Sequence, residues 1–474
     1  MKESKKDILL SLIRNGKPIS RLQQFQLAGL LSVPAILVQI SSIIMEFIDA
    51  SMVGQLGANQ SASIGLVATS LWLIFGICNA AASGFSVQVA HLIGGKKDSE
   101  ARNVFRQAIT AICIFSLTVM LVGVSISPNI PHWLRGGKEV CGDASSYFMI
   151  FCCAMPMLAL NMLAAGMLRS SGNIKTPSIF NVMMCALDVL FNFLLIYPTR
   201  TVTICGIPLT IPGAGWQVKG AALGSFLAIT TTSICMMWYA CYKAKEMRLK
   251  GEKGSFKPTR QCLRKAIKIG GPMGLLHFCM CSASIVITAI VAPLGSIALA
   301  ANTFAITAES ICYMPGNGIA DAATVLIGQS IGAGRKALAK QMAGITVMMG
   351  TAVMTMMGVL LYFGAPWMMS LLSPVPDIIN SGAEVLRIQA FAEPFFALSI
   401  VGYGVFVGAG DTLVPCGYNL ASMWGVRLTL SALLVGTFGL RGVWIAMAVE
   451  LVIRGLLYLY RLQSGKWLKS YAAT

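Results

Sequence analysis

Residues 79–94 read NAAASGFSVQVAHLIG, and residues 317–332 read NGIADAATVLIGQSIG. Asn79 stands 238 residues before Asn317, and Ile93-Gly94 stands the same distance before Ile331-Gly332. Each stretch runs into a short loop of glycine and basic residues. The same offset pairs Pro34 with Pro272, Leu56-Gly57 with Leu294-Gly295, Pro128 with Pro366 and Pro156 with Pro394. It also pairs Gly172 with Gly410 and Pro177 with Pro415. Further on it falls to 222, with Gly220 facing Gly442, because the first half carries a longer loop over Pro198–Gln217. Chance does not readily hold one register over so long a stretch, so the chain is a duplicated unit.

The solvent of that unit follows from composition. Of 474 residues, 56% are hydrophobic and 11% charged, against about 25% charged in soluble domains. Mean hydropathy is +0.73. Apolar stretches long enough to cross a bilayer recur twelve times, near 25–48, 62–85, 105–127, 146–168, 178–197, 218–242, 268–291, 298–320, 342–364, 384–408, 416–437 and 442–461. Each half therefore has six spans. An even number makes both halves enter the membrane from the same side, which is a parallel repeat about an axis along the membrane normal. The expected fold is an all-α integral membrane protein of twelve transmembrane helices in two pseudo-symmetric six-helix lobes around a central cavity. Its expected organisation is an N-terminal segment (1–24), a first lobe (25–242), a linker (243–267), a second lobe (268–461) and a tail (462–474).

Charge sets the expected orientation. Counting alternate connections from the N-terminus, one side holds 28 Lys and Arg and the other holds six. The basic-rich side is cytoplasmic by the positive-inside rule, so both termini are expected there, in the cell membrane. The net charge of +18 is spread over short loops and offers no aromatic-basic surface for nucleic acid. Residues 1–24 are polar and basic, with no cleavable apolar leader. The long stretch from Lys243 to Lys268, with Gly251, Gly254 and Pro258, reads as a solvated linker.

Other chemistries find little support. Most of the 14 cysteines lie in apolar runs and act as small hydrophobes. Only Cys141 and Cys205 fall in loops on one side, where a disulfide is conceivable. His91, His132 and His277 are scattered and no Cys/His spacing suggests zinc, so no metal site is expected. No HExxH, GxSxG or phosphate-binding loop occurs in a suitable setting, which argues against an enzyme and against direct use of ATP. No cofactor is expected beyond a coupling ion.

Several segments carry a family likeness. Residues 47–57 read FIDASMVGQLG, 168–177 read LRSSGNIKTP and 314–318 read MPGNG. Residues 328–334 read GQSIGAG, 408–412 read GAGDT and 424–427 read WGVR. In this order and spacing, from about residue 25 to 467, the chain resembles the multidrug and toxic compound extrusion family. The resemblance implies two six-helix lobes, a cavity open to one side at a time, and export of small organic cations or drugs by antiport against Na+ or H+. It implies a monomer within membrane lipid. A lipid-linked oligosaccharide flippase of the same superfamily is the alternative; its anionic headgroups would call for basic cavity residues, and the charges here are mainly acidic.

Ionisable groups at mid-membrane cost about 2.5–3.5 kcal/mol each on insertion scales, so those that persist are functional candidates. Glu46 and Asp49 stand three apart on the first span, and Asp188 and Asn192 stand one turn apart on the fifth. Asp49 and Asp188 have the oxygens to hold a small hard cation, with Asn192 adding a carbonyl. Alternatively one of them takes a proton, or both are structural acids in a polar network. The resemblance implies a coupling site in the first lobe, made of an acid on the first helix, an Asn/Asp pair four apart on the fifth and a hydroxyl on the sixth. Asp49, Asp188 with Asn192, and Ser225 match these positions, with acid and amide exchanged within the pair. The family's other site, acids on helices seven and ten, meets apolar residues near Met280 and Phe396. In the second half, Glu309 and Glu393 are the candidate substrate contacts, Glu393 at a shallower and wetter depth. Arg427 and Glu450 are expected to form an ion pair between helices eleven and twelve. Pro34 and Pro272 are expected to kink their helices.

Overall fold

The computed structural model describes residues 5–134, 136–204, 207–249 and 254–468. Its helices are α1 (Lys5–Arg14), α2 (Arg21–Gly54), α3 (Ala58–Gly94), α4 (Asp98–Ile126), α5 (Lys138–Ser170), α6 (Lys175–Ile196) and α7 (Gln217–Trp238). The second half contributes α8 (Arg260–Val291), α9 (Ser296–Gly332), α10 (Lys336–Leu372), α11 (Pro376–Ala390) and α12 (Glu393–Gly408). The last two are α13 (Leu413–Phe438) and α14 (Leu440–Ser464).

Among the described residues, eleven helices are long and apolar enough to cross a membrane, and the bent pair α11–α12 makes a twelfth span. The protein is a multi-pass helical membrane protein, as the sequence led us to expect. Inside a bilayer only the intrahelical ladder can satisfy the backbone, and the apolar runs supply segments of that length. Pro34, Pro156, Pro272, Pro315 and Pro366 sit inside continuous helices.

The duplication is written into the backbone. α3 and α9 are each 37 residues long, and both start and end 238 residues apart. α4 and α10 begin at Asp98 and Lys336, and α5 and α11 at Lys138 and Pro376, at the same spacing. The turns repeat as well: Gly172 and Gly410 both take positive φ, 88° and 76°, where a side chain would be strained.

Besides the longer loop after α6, one place breaks the repeat. The tenth span, expected as one helix over 384–408, starts at Pro376 and bends by 62° between α11 and α12. Its counterpart α5 runs unbroken through Pro156. Three smaller features also differ from expectation. The N-terminal segment contains α1, whose Leu9, Leu10 and Ile13 are buried. The long loop after α6 holds an antiparallel hairpin, β1 (Pro198–Ile204) with β2 (Ile207–Ala214), pairing Pro198 with Ala214. The start of the linker is tied down: Arg102 Nε donates to the Glu246 carbonyl at 3.0 Å and Arg106 Nη2 to that of Leu249 at 3.1 Å. Cys141 is a free thiol, and Cys205 lies outside the described residues, as does the disulfide considered for the two.

The chain forms two compact units. One comprises Ser41–Val89 and Asp98–Ile267; the other comprises Met1–Ile40, Ala90–Lys97 and Lys268–Thr474. The first is organised around the packing of α5, α6 and α7, where small residues let backbones approach. A side chain on Gly220 would strike the Leu195 carbonyl, and one on Gly224 would strike Asn192. In the second unit, the ends of α3 and α9 cross in a reciprocal way. Gly94 lies against the backbone of Gln329, and Gly332 against that of His91. These four positions are repeat partners of one another. His91 Nε2 reaches the Gly408 carbonyl at 2.7 Å beside this crossing, as the Nε2–H tautomer.

Candidate functional site

In the first unit, Asn181, Cys185, Asp188 and Asn192 follow one another at helical spacing on α6 and therefore share a face. That face meets α2. Asn181 Nδ2 lies 3.5 and 3.4 Å from the hydroxyls of Ser41 and Ser42. Cys185 Sγ lies 3.6 Å from the Ser41 carbonyl. One turn further, Asn192 Nδ2 donates to Asp49 Oδ1 at 2.9 Å and to Asp188 Oδ2 at 3.1 Å. A single amide group thus bridges two carboxylates from different helices.

Asp188 and Asn192 are each only 1% exposed, while Asp49 is half-buried. Asp49 and Asp188 lie within electrostatic reach of each other, and Ser225 on α7 lies within reach of Asp188. Gly224, next to Ser225, is what lets α7 approach α6 this closely. The structure therefore brings together Asp49, Asp188, Asn192 and Ser225. Glu46 does not join them. It lies exposed on α2 and acts on Asp49 only through its charge.

Sequence reasoning missed Tyr147 on α5. Its side chain lies within electrostatic reach of both Asp49 and Asp188, and its ring packs against Phe151 with centroids 4.9 Å apart. A lone tyrosine in an apolar helix gives no periodic signal of such a role.

This arrangement has a definite chemistry. Two carboxylates with one shared amide donor carry more negative charge than their donors neutralise. The Asn192 Oδ1 is buried and has no hydrogen-bond partner among the described residues. Carboxylate, carboxylate, amide carbonyl and hydroxyl oxygens form a hard donor set, suited to a hard cation or to a proton shared by the acid pair.

The second unit holds a separate polar cluster. Gln389 Nε2 donates to Glu309 Oε1 at 2.7 Å. Arg454 Nε lies 3.2 Å from Glu450 Oε1 and its Nη1 donates to Asn419 Oδ1 at 2.9 Å. Glu450 is thus paired along its own helix, and the direct Arg427–Glu450 bridge expected from sequence is not formed. Arg427 instead points Nη2 at Met447 Sδ, with Glu450 and Glu309 as its charged neighbours. It sits within the π-helical turns Ala421–Leu428, whose wider winding changes the direction in which a side chain leaves the helix.

Glu393 corrects a second expectation. It is 0% exposed rather than wet, because the break after Ala390 places it at the first turn of α12, facing inward. Gly358 leaves it room: a side chain there would come within 3.1 Å of Glu393 Cβ. Glu309 is 5% exposed, so both acids are buried in this structure.

Among the described residues, no group of three or more His, Cys, Asp or Glu is arranged to hold a metal ion. At the end of α12, Arg461 Nε and Nη2 donate to Asp411 Oδ2 at 2.9 and 2.5 Å, a structural pair that ties α14 to the turn before α13.

The sequence model of the MatE family matches residues 34–194 and 272–433, one match in each half. A protein described as a probable multidrug resistance protein NorM from Thermotoga maritima is 24% identical over 94% of this chain and 93% of its own length. One of the same description from Neisseria meningitidis serogroup B is 26% identical over 98% of this chain and all of its own. Among solved structures, a crystal structure of MATE in complex with MaL6 superposes with a TM-score of 0.86 at 18% identity, over 96% of this chain and 99% of the other. A MOP-superfamily transporter from Pyrococcus furiosus, also with a TM-score of 0.86 and 18% identity, covers 99% of this chain and is itself fully covered. These two likenesses establish the fold.

Proposed function

The chain belongs to the MatE family of transporters, which are not enzymes, and on that premise we propose that it is a multidrug exporter that antiports small organic compounds, mostly cations, against entering Na+ or H+. Relatives described as multidrug resistance proteins along the whole chain support the substrate class. The single observation that carries the coupling assignment is the Asn192 amide shared between Asp49 and Asp188 at 2.9 and 3.1 Å.

Coupling then works through charge. With the site empty, two carboxylates share one amide, and the Ser225 hydroxyl is near Asp188. A cation or proton entering between them cancels a negative charge and takes up the unpartnered Asn192 Oδ1. Because α2, α6 and α7 supply the groups, occupancy changes how tightly these helices hold together. An ion that binds the two states of the protein unequally shifts the balance between them, by no more than that difference in affinity. The protein lies in the cell membrane, and the distribution of its basic loops puts both termini in the cytoplasm; we take it to work as a monomer.

Drug extrusion by inverted vesicles, with sodium and proton gradients imposed separately, tests this reading. Asp49→Asn and Asp188→Asn should each abolish gradient-driven export while leaving the protein folded. Normal export rates in both variants would refute the assignment. Binding of a pyrophosphate-linked lipid, without binding of any organic cation, would replace the drug reading with a flippase.

A further inference from the structure

A ten-residue helix such as α1 (Lys5–Arg14) is too short to hold its shape alone in water, so its partners keep it folded. Leu9, Leu10 and Ile13 share one face of α1 and are buried, Ile13 at 0% exposure. Ile8, on the other face, is 45% exposed. The helix packs against α9, within the second unit.

Two arginines fix the end of α1. Arg14 Nε donates to Gln329 Oε1 at 3.3 Å. Arg335 Nη1 donates to the Leu12 carbonyl at 3.2 Å, one of the last-turn carbonyls that a helix cannot satisfy within itself. Just beyond, Gln24 Nε2 donates to Gln341 Oε1 at 2.9 Å, which ties the start of α2 to α10.

These ties converge on the crossing of α3 and α9. Both helix ends lie in the second unit, since Ala90–Lys97 belongs to it. Gln329 offers its backbone to Gly94 in the crossing and its side chain to Arg14 of α1. Arg335 stands three residues after Gly332, the other contact of the crossing. One residue thus serves both contacts, and moving Gln329 out of the crossing disturbs the docking of α1.

An exporter that opens to one side at a time must part these helix ends when it opens to the side they occupy; this step rests on the reading proposed above. The basic loops that follow α3 and α9 make that side cytoplasmic. We propose that α1 is a releasable clasp on the α3–α9 crossing. Docked, it holds Gln329 against Gly94 and keeps the cytoplasmic side closed. Undocked, it lets the two helix ends part.

Hydrogen exchange on the full chain in lipid nanodiscs tests this without any substrate. Ile13→Asp puts a charge on the buried face of α1 and should free the helix. Amides of 5–14 should then exchange as in an unstructured peptide. Those of 91–95 and 329–333 should exchange roughly tenfold faster or more than in the native chain. Ile8→Asp makes the same change on the exposed face and should leave both regions at native rates. Arg14→Gln combined with Arg335→Gln removes the polar ties and leaves the apolar face intact. It should move the same regions in the same direction by a smaller factor, and it serves if Ile13→Asp does not fold. Amides of α6 around Asp188, in the other unit, report folding and should keep native rates. Free-peptide exchange of α1 in the native chain would overturn the proposal. So would a released α1 that leaves 91–95 and 329–333 at native rates. If the exchange pattern holds but the native chain exports no organic cation under either gradient, the exporter reading fails and the clasp stands.

Discussion

Gly224→Ala perturbs the first site without touching a charge. A methyl group there would lie 2.9 Å from the Asn192 backbone nitrogen and 3.0 Å from its Cγ, and closer still to Oδ1. Ordinary contact needs roughly 0.5 Å more at the backbone nitrogen and over about 1 Å more at Oδ1, a misfit of the kind that overpacks a core. Two routes relieve it. α6 and α7 can part, at an overpacking cost of about 1–3 kcal/mol. Or the Asn192 side chain can swing away, giving up its bonds to Asp49 and Asp188, each worth about 1.5–3 kcal/mol when the acceptor is charged. The cheaper route sets the effect, so we expect a loss of about 1–3 kcal/mol. At 1.4 kcal/mol per factor of ten, transport activity should fall by roughly 5- to 150-fold. The assay is gradient-driven export from proteoliposomes, normalised to folded protein. Gly65→Ala, in the same unit and with nothing within 4 Å of the added carbon, is the control. Equal export by the two variants would show that the position of Asn192 does not matter, and the site would lose its geometric basis.

The other predictions concern the second unit. Arg454→Leu leaves Glu450 buried without its 3.2 Å partner; thermal unfolding should show a loss of about 3–5 kcal/mol, largely restored by adding Glu450→Leu. Gly332→Val drives a branched side chain into the backbone of His91, and Gly94→Val does the same to Gln329; each should lower stability by about 1–3 kcal/mol, measured as a lower midpoint on heating. Asp411→Asn replaces the ion pair with Arg461 by a guanidinium–amide bond and should lower stability by about 1 kcal/mol, read by the same scan.

Helix count, the duplication and the shared face of Asp188 and Asn192 were legible in the sequence, because each depends on a local rule; the family resemblance, not a local rule, pointed to Asp49 as their partner. A bilayer demands spans of fixed length, and the apolar runs show where they lie. A repeat preserves its register, so Gly94 and Gly332 could be matched before their crossing was known. Spacing of four puts Asp188 and Asn192 on one helical face, and the cost of a lone mid-membrane acid called for a partner on another helix.

Tertiary packing decided the rest. Glu450 had two arginines within plausible reach, and its choice of Arg454 over Arg427 depends on the π-helical turns of α13, which no residue pattern marks. The break after Ala390 could not be read from Glu393-Pro394, since the matching Pro156 leaves α5 intact. The inward placement of Glu393 follows from that break. Tyr147 reaches the acid pair only because α5 packs beside α6 and α7. Sequence periodicity fixes which residues share a helix face; which face meets which neighbour, and where a buried charge finds its counterpart, is settled only when all the helices compete for the same space.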